Sequence, residues 1–121
     1  MRLVSVTGAV HFADERMQKI GLLASDRLFL DLYCLQPGQA QRVHSHGDSD
    51  KVYYVLQGRA TIQVGTEERD LLAGTAVLAP AGEPHGVANR SGDPLTLLVF
   101  MAPPPVHAAP SGGLPTDRVG D

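Results

Sequence analysis

Three histidines offer the clearest chemistry in this chain. His44 and His46 stand two residues apart in His44-Ser45-His46, and His85 follows Pro80-Ala81-Gly82-Glu83-Pro84. In an extended strand side chains alternate between faces, so an i, i+2 pair projects two imidazoles from one face. Neutral imidazole is the common protein donor for Zn, Fe, Ni, Cu or Mn, whereas Ca and Mg prefer oxygen. The two prolines and the glycine ahead of His85 make a stiff turn that can present its side chain at the start of a strand. Convergence of the three would make a site for one divalent transition metal. The same residues also fit a plainer arrangement, an exposed histidine pair and a hydrogen-bonded core His85, because imidazole serves many roles.

The elements that must position these side chains read as β-strands. Glycines and prolines punctuate short runs of alternating or β-branched residues, and no stretch keeps apolar residues at helical spacing over three turns. Strands are expected near Leu3–Val6, Leu28–Leu35, Ala40–Val43, Val52–Gln57, Ala60–Val64, Glu68–Leu72, Ala76–Ala79, His85–Asn89 and Leu95–Met101. Pro37-Gly38, Gln57-Gly58, Gly65-Thr66, Ala73-Gly74 and Ser91-Gly92-Asp93-Pro94 supply turn chemistry between them. An all-β sandwich or barrel follows. The segment from Ala13 to Arg27 reads as irregular, since ERMQKIGLLASD fits a helical turn or a loop crossing a sheet. After Ala102 the chain is rich in Pro and Gly and poor in large apolar groups, so burial does not offset its ordering entropy. The expected division is a barrel over 1–104 and, over 105–121, a mobile tail or one that orders only against a partner.

Composition narrows the function classes. A chain of 121 residues fits one domain, which at this size buries about two-thirds of its unfolded surface and needs no disulfide. The net charge is -3 and the ten Lys and Arg are scattered, so no basic stripe exists to neutralise phosphates and nucleic acid is not an expected partner. The longest apolar run, Leu95–Ala102, falls far short of the roughly 20 residues needed to span a bilayer. With the single cysteine Cys34 and no basic-then-apolar opening, a cytoplasmic protein is expected.

The spacing of glycines and histidines is more specific than either alone. Gly38-x5-His44-x-His46, closing at Gly58, is followed by Gly74-x5-Pro80-x-Gly82-x2-His85-x3-Asn89. These runs resemble the two sequence motifs of the cupin superfamily. The second matches at every position, the first at its glycines and both histidines, and VYYVLQG over Val52–Gly58 is similar to the family's strand. The motifs cover Gly38 to Asn89, and the likeness extends from about Leu28 to Pro104. The resemblance implies a jelly-roll β-barrel holding a metal near its open mouth, with His44, His46 and His85 as ligands. It also implies a homodimer with N-terminal strands packed across the partner.

One position departs from the pattern. Seven residues before the closing glycine the family carries a glutamate that completes the metal site, and here that position is Lys51. A lysine ammonium has no lone pair, and a nearby dication repels it unless it deprotonates or turns to solvent. Asp50 is the alternative fourth ligand, but a one-residue shift points it to the other face unless a β-bulge intervenes; otherwise it is a solvated charge in GDSDK, as is Asp48. Three neutral imidazoles leave the charge of a dication (Fe, Zn, Mn or Ni) uncompensated, with positions open for an anionic ligand. Lys51 is then a candidate anchor for a second anionic group, or else a surface lysine.

Other residues are assigned more modest roles. Tyr53 and Tyr54 point to opposite faces, so one can reach a cavity, as a proton donor or as packing. Cys34 reads as a small buried hydrophobe and Asn89 as a hydrogen-bonding strand residue. His11 and His107 lack partners at metal spacing and read as surface residues. Phe29, Asp31, Tyr33 and Leu35 share one face of their strand and Leu28, Leu30, Leu32 and Cys34 the other, with either face able to be interior.

Two function classes remain. One is a metal-dependent enzyme: the family resemblance includes dioxygenases that use three histidines without the carboxylate, and isomerase or lyase chemistry on a sugar or keto acid is the alternative, with Lys51, Tyr53 or Glu83 as the available proton-transfer groups. The other is a non-catalytic module binding metal and a small molecule.

Overall fold

The computed structural model describes residues 1–45 and 47–105. A 3-10 turn at Thr7–Ala9 precedes nine strands: β1 Gln18–Ala24, β2 Phe29–Leu35, β3 Ala40–His44, β4 Asp50–Gln57, β5 Arg59–Val64, β6 Glu67–Leu72, β7 Ala76–Ala79, β8 His85–Ala88 and β9 Leu95–Ala102. They form a five-stranded sheet, β1-β2-β9-β4-β7, facing a four-stranded sheet, β3-β8-β5-β6, with antiparallel pairing throughout.

Strand alternation decides what lies between the sheets. Along β4, Lys51, Tyr53 and Val55 are buried while Asp50 and Gln57 are exposed. Across β2 and β9 the register joins Tyr33 to Leu97 and Leu35 to Leu95, and these pack with Val55, Ala60, Ile62, Val87 and Val99 as the core. The face bearing Phe29, Asp31, Tyr33 and Leu35 is therefore the inner one. The opposite face of β2 is buried too, with Leu32 and Cys34 fully covered, because the chain ahead of β1 crosses it and brings the His11 N–H to the Cys34 thiol.

Two expectations are corrected. Leu3–Val6 is not a strand: its side chains are largely exposed and it joins neither sheet. The free edge of β2 is instead taken by β1, Gln18–Ala24, inside the segment expected to be irregular. Its run QKIGLLA lacks clean alternation, and the register slips between Gly21 and Leu23, which erases the two-residue period. Most of the expected tail, with His107, lies outside the described residues. Among those described, no helix is long and apolar enough to cross a membrane.

Gly58 joins β4 to β5 at φ +94°, and a Cβ there would collide with the Pro94 carbonyl oxygen. Both the backbone conformation and the close approach exclude a side chain. Gly58→Ala is expected to cost about 2–4 kcal/mol, read as a lower urea midpoint with an unchanged slope. A loss under about 1 kcal/mol would mean that the turn re-forms around the methyl group.

Candidate metal and ligand site

The site begins with an irregularity in β3. Gln41 pairs with Val87 and His44 with His85, so three steps along β3 match two along β8. The extra residue is a β-bulge that returns His44 to the face carrying Gln41; strict alternation would have pointed it away. The bulged strand presses on Gly86, where a Cβ would meet the Gln41 carbonyl oxygen at 2.9 Å and the Val43 nitrogen at 3.0 Å. Val43 is turned outward and half exposed as a result.

This arrangement brings His44 and His85 together, with ring centroids 4.5 Å apart and planes at 62°. Each ring is held in the same way. His44 Nδ1 lies 2.8 Å from the Arg42 carbonyl and His85 Nδ1 lies 2.9 Å from the Glu83 carbonyl. A carbonyl oxygen only accepts, so both Nδ1 atoms carry a proton, and in the neutral imidazole the lone pair is then on Nε2. The two Nε2 atoms are buried. In the neutral form such imidazoles are donors of the kind a divalent transition metal takes, and a backbone carbonyl on the second ring nitrogen is the usual support for a ligating histidine. His46 lies outside the described residues, and among those described no group of three His, Cys, Asp or Glu side chains is assembled for a metal.

Beside the histidines lies a buried polar cluster. Lys51 is fully buried, and its Nζ sits 5.1 Å from the Tyr53 ring centroid and 5.5 Å from that of Tyr33, within cation–π range. Nζ lies 3.5 Å from Gln41 Oε1, and the Tyr53 hydroxyl donates to the same oxygen at 3.2 Å. Gln41 Nε2 donates to the Tyr33 hydroxyl at 3.1 Å. Tyr53 also reaches toward His85, with ring centroids 6.2 Å apart, so the cluster and the histidine pair share one interior. Asp31 faces that interior from β2. It shares a row with Val99 and Tyr53, adjacent to the row of Phe29, Met101 and Lys51.

The remaining sequence candidates fall elsewhere. Asp50 is exposed on the face opposite Lys51, and its carboxylate accepts the Ala81 N–H at 2.9 Å, bracing the turn that leads to His85. Asp48 and Glu83 are exposed. Asn89 is buried and ties strands together: its amide donates to the Leu35 and Asp93 carbonyls while its oxygen accepts from Ser91. Gln41 was not legible as a site residue, because its inward aim becomes relevant only through the bulge that brings His44 onto its face. Tyr33 and Asp31 were on an undecided face.

The Cupin domain family matches residues 31–101. The chain belongs to the cupin family. It is 35% identical over 94 residues to an uncharacterized protein of Streptomyces coelicolor, covering 78% of this chain and 79% of that protein. It is 31% identical over 75 residues to the tetracenomycin polyketide synthase protein TcmJ of Streptomyces glaucescens, covering 62% of this chain and half of that one. The crystal structure of TT1209 from Thermus thermophilus superposes with a TM-score of 0.83 at 48% identity, over 85% of this cupin and 98% of that chain. The double-stranded β-helix architecture of this cupin is thereby shown.

Cys34 lies apart from the cupin interior. Burial pushes its thiol above the ordinary value, partly offset by the His11 N–H. Its contribution to stability is present below the ordinary thiol value near 9 and fades as pH rises past it. The stability difference between wild type and Cys34→Ala should be constant below that pH and narrow above it in pH-dependent thermal melts. A difference that widens with alkalinity would contradict the burial of the thiol.

Proposed function

We propose that this cupin holds one divalent transition metal through His44, His46 and His85 and presents to it a small anionic ligand, with oxidative cleavage of that ligand as its reaction. The observation that carries the reading is the matched pair His44 and His85, each with Nδ1 committed to a backbone carbonyl and its Nε2 lone pair buried beside the other ring. His46, two residues from His44, is the third donor by spacing. Fe, Zn, Mn or Ni all suit imidazole donors, and oxidative chemistry selects Fe(II).

When bound, the metal supplies Lewis acidity and adjacent open positions for ligand and O2. The protein's own residues account for the rest. Neutral imidazoles do not offset a dication, so a carboxylate, enolate or catecholate is favoured as the incoming donor. Lys51, inward where the family carries a glutamate, offers a directional point charge to a second polar group of the ligand. Gln41 fixes the lysine amine by accepting from both Lys51 and Tyr53, while the Tyr33 and Tyr53 rings face its nitrogen in a fully buried position. Tyr53, hydrogen-bonded to Gln41 and near His85, is the side chain placed to pass a proton to a bound anion.

Protein purified without chelator is expected to hold one metal ion per chain by elemental analysis. His44→Ala and His85→Ala should each lower metal affinity at least about 100-fold, more than loss of an outer partner. Lys51→Glu should raise affinity at least about tenfold by restoring a charged oxygen donor. Oxygen uptake after Fe(II) loading, against small diketones, thiols and catechols, tests the reaction. Folded protein that takes up no metal would overturn the site; zinc occupancy without oxygen uptake would replace oxidative cleavage with isomerase, lyase or binding chemistry.

A further inference from the structure

An apolar cleft opens between the sheets, one strand over from His85. It has a volume of about 290 Å³ and lies between β5 and β6 on one side and β7 on the other, walled by Ile62, Val64, Leu71, Thr75 and Val77. The edges of the two sheets face each other here without strand pairing, since β6 ends one sheet and β7 the other. Val64 is the cross-strand partner of His85. Directly opposed side chains share a face with Cβ atoms about 4.5–5.5 Å apart, so one wall of the cleft adjoins the imidazole. Ile62 and Val77 carry the same surface inward, packing with the core beneath Tyr53. Glu67 and Arg69 form an exposed ion pair at the rim, with N and O 2.6 Å apart. A pair this exposed holds little energy and can part to admit a ligand.

We infer that the cleft binds the apolar body of the ligand whose anionic head sits at the histidines, so that the ligand class is an amphipathic organic acid. This rests on the metal-and-anion reading above. The wall is mostly aliphatic, its residue Val64 is the strand partner of His85, and the volume approaches the lower end of small-molecule pockets, about 300 Å³. A purely polar ligand such as a sugar acid would leave this surface wetted and would gain nothing from it.

The test is a chain-length series: acetate, butanoate and hexanoate titrated calorimetrically into Co(II)-loaded and metal-free protein, with the Co(II) visible spectrum reporting contact at the metal. Affinity is expected to rise about fourfold per added methylene. Val64→Phe and Thr75→Phe, which fill the cleft from opposite walls, should flatten that slope, while Leu72→Phe on the exposed side of β6 should keep it. Thermal melts confirm that each variant is folded. Acetate that perturbs Co(II) while the longer acids gain nothing in wild type would overturn the cleft and leave the metal site standing. A slope that survives both filling variants would overturn it equally. A slope seen without any Co(II) response, and lost on filling, would support the cleft and remove the metal reading; no binding by any acid would overturn both.

Discussion

Between Gln41 and His44 the third strand carries one more residue than the strand opposite, and the geometry of the site follows from that surplus. A sheet has a two-residue period, so Gln41 and His44 belong on opposite faces in any regular strand. The bulge puts both on the inner face. It is accommodated by Gly86, whose missing Cβ lets the bulged backbone come close, and it leaves Val43 facing water. His44 can then meet His85 while Gln41 reaches back to the tyrosines and Lys51. Bulges bend and twist their strands locally, which is why they recur where side chains must be re-aimed.

Polar groups buried in a barrel destabilise it unless they are satisfied, and here they satisfy one another. Gln41 is the joint of the cluster. Its oxygen accepts from Lys51 and Tyr53 and its amide donates to Tyr33, an assignment fixed by the fact that a lysine amine in this role only donates. Two aromatic rings also face the Lys51 nitrogen, so it is held by position as well as by hydrogen bonding. Lys51 stands where the resemblance places a carboxylate, so a basic group takes the place of an acidic one. Asp31 places a carboxyl group in the same interior from β2, two strands along the same sheet, so that interior is not uniformly basic.

The two histidines and the second motif illustrate how local and distant contacts combine. The turn before His85 is closed locally, where Glu83 donates to the Pro80 carbonyl, and is tied to the β5–β6 turn, where the Pro84 carbonyl accepts from Gly65. Asp50 completes it from across the sheet by taking the Ala81 N–H. Asp50 and Lys51 are neighbours in sequence with opposite tasks, one bracing the turn outside and one lining the interior. That division is the ordinary alternation of β4, applied at the point where the family pattern is broken.

Much of this was legible in the sequence because it depends on local chemistry. Alternation and turn residues located eight of the nine strands, and the motif spacing of glycines, prolines and histidines identified the cupin barrel. It also singled out His44, His85 and Lys51. What escaped was decided by partners far along the chain. Whether Tyr33 and Asp31 or Leu32 and Cys34 faced inward depended on which sheet closed over β2, and both patterns are apolar enough for either. The strand Gln18–Ala24 was hidden because its slipped register removes the period by which strands are recognised, and Leu3–Val6 resembled a strand but had no edge to join. Gln41 became part of the site through an extra residue whose existence is defined by the pairing with β8. A sequence determines side chains and local stiffness directly; register, face and cavity are properties of pairs of strands, and the tertiary structure decided them.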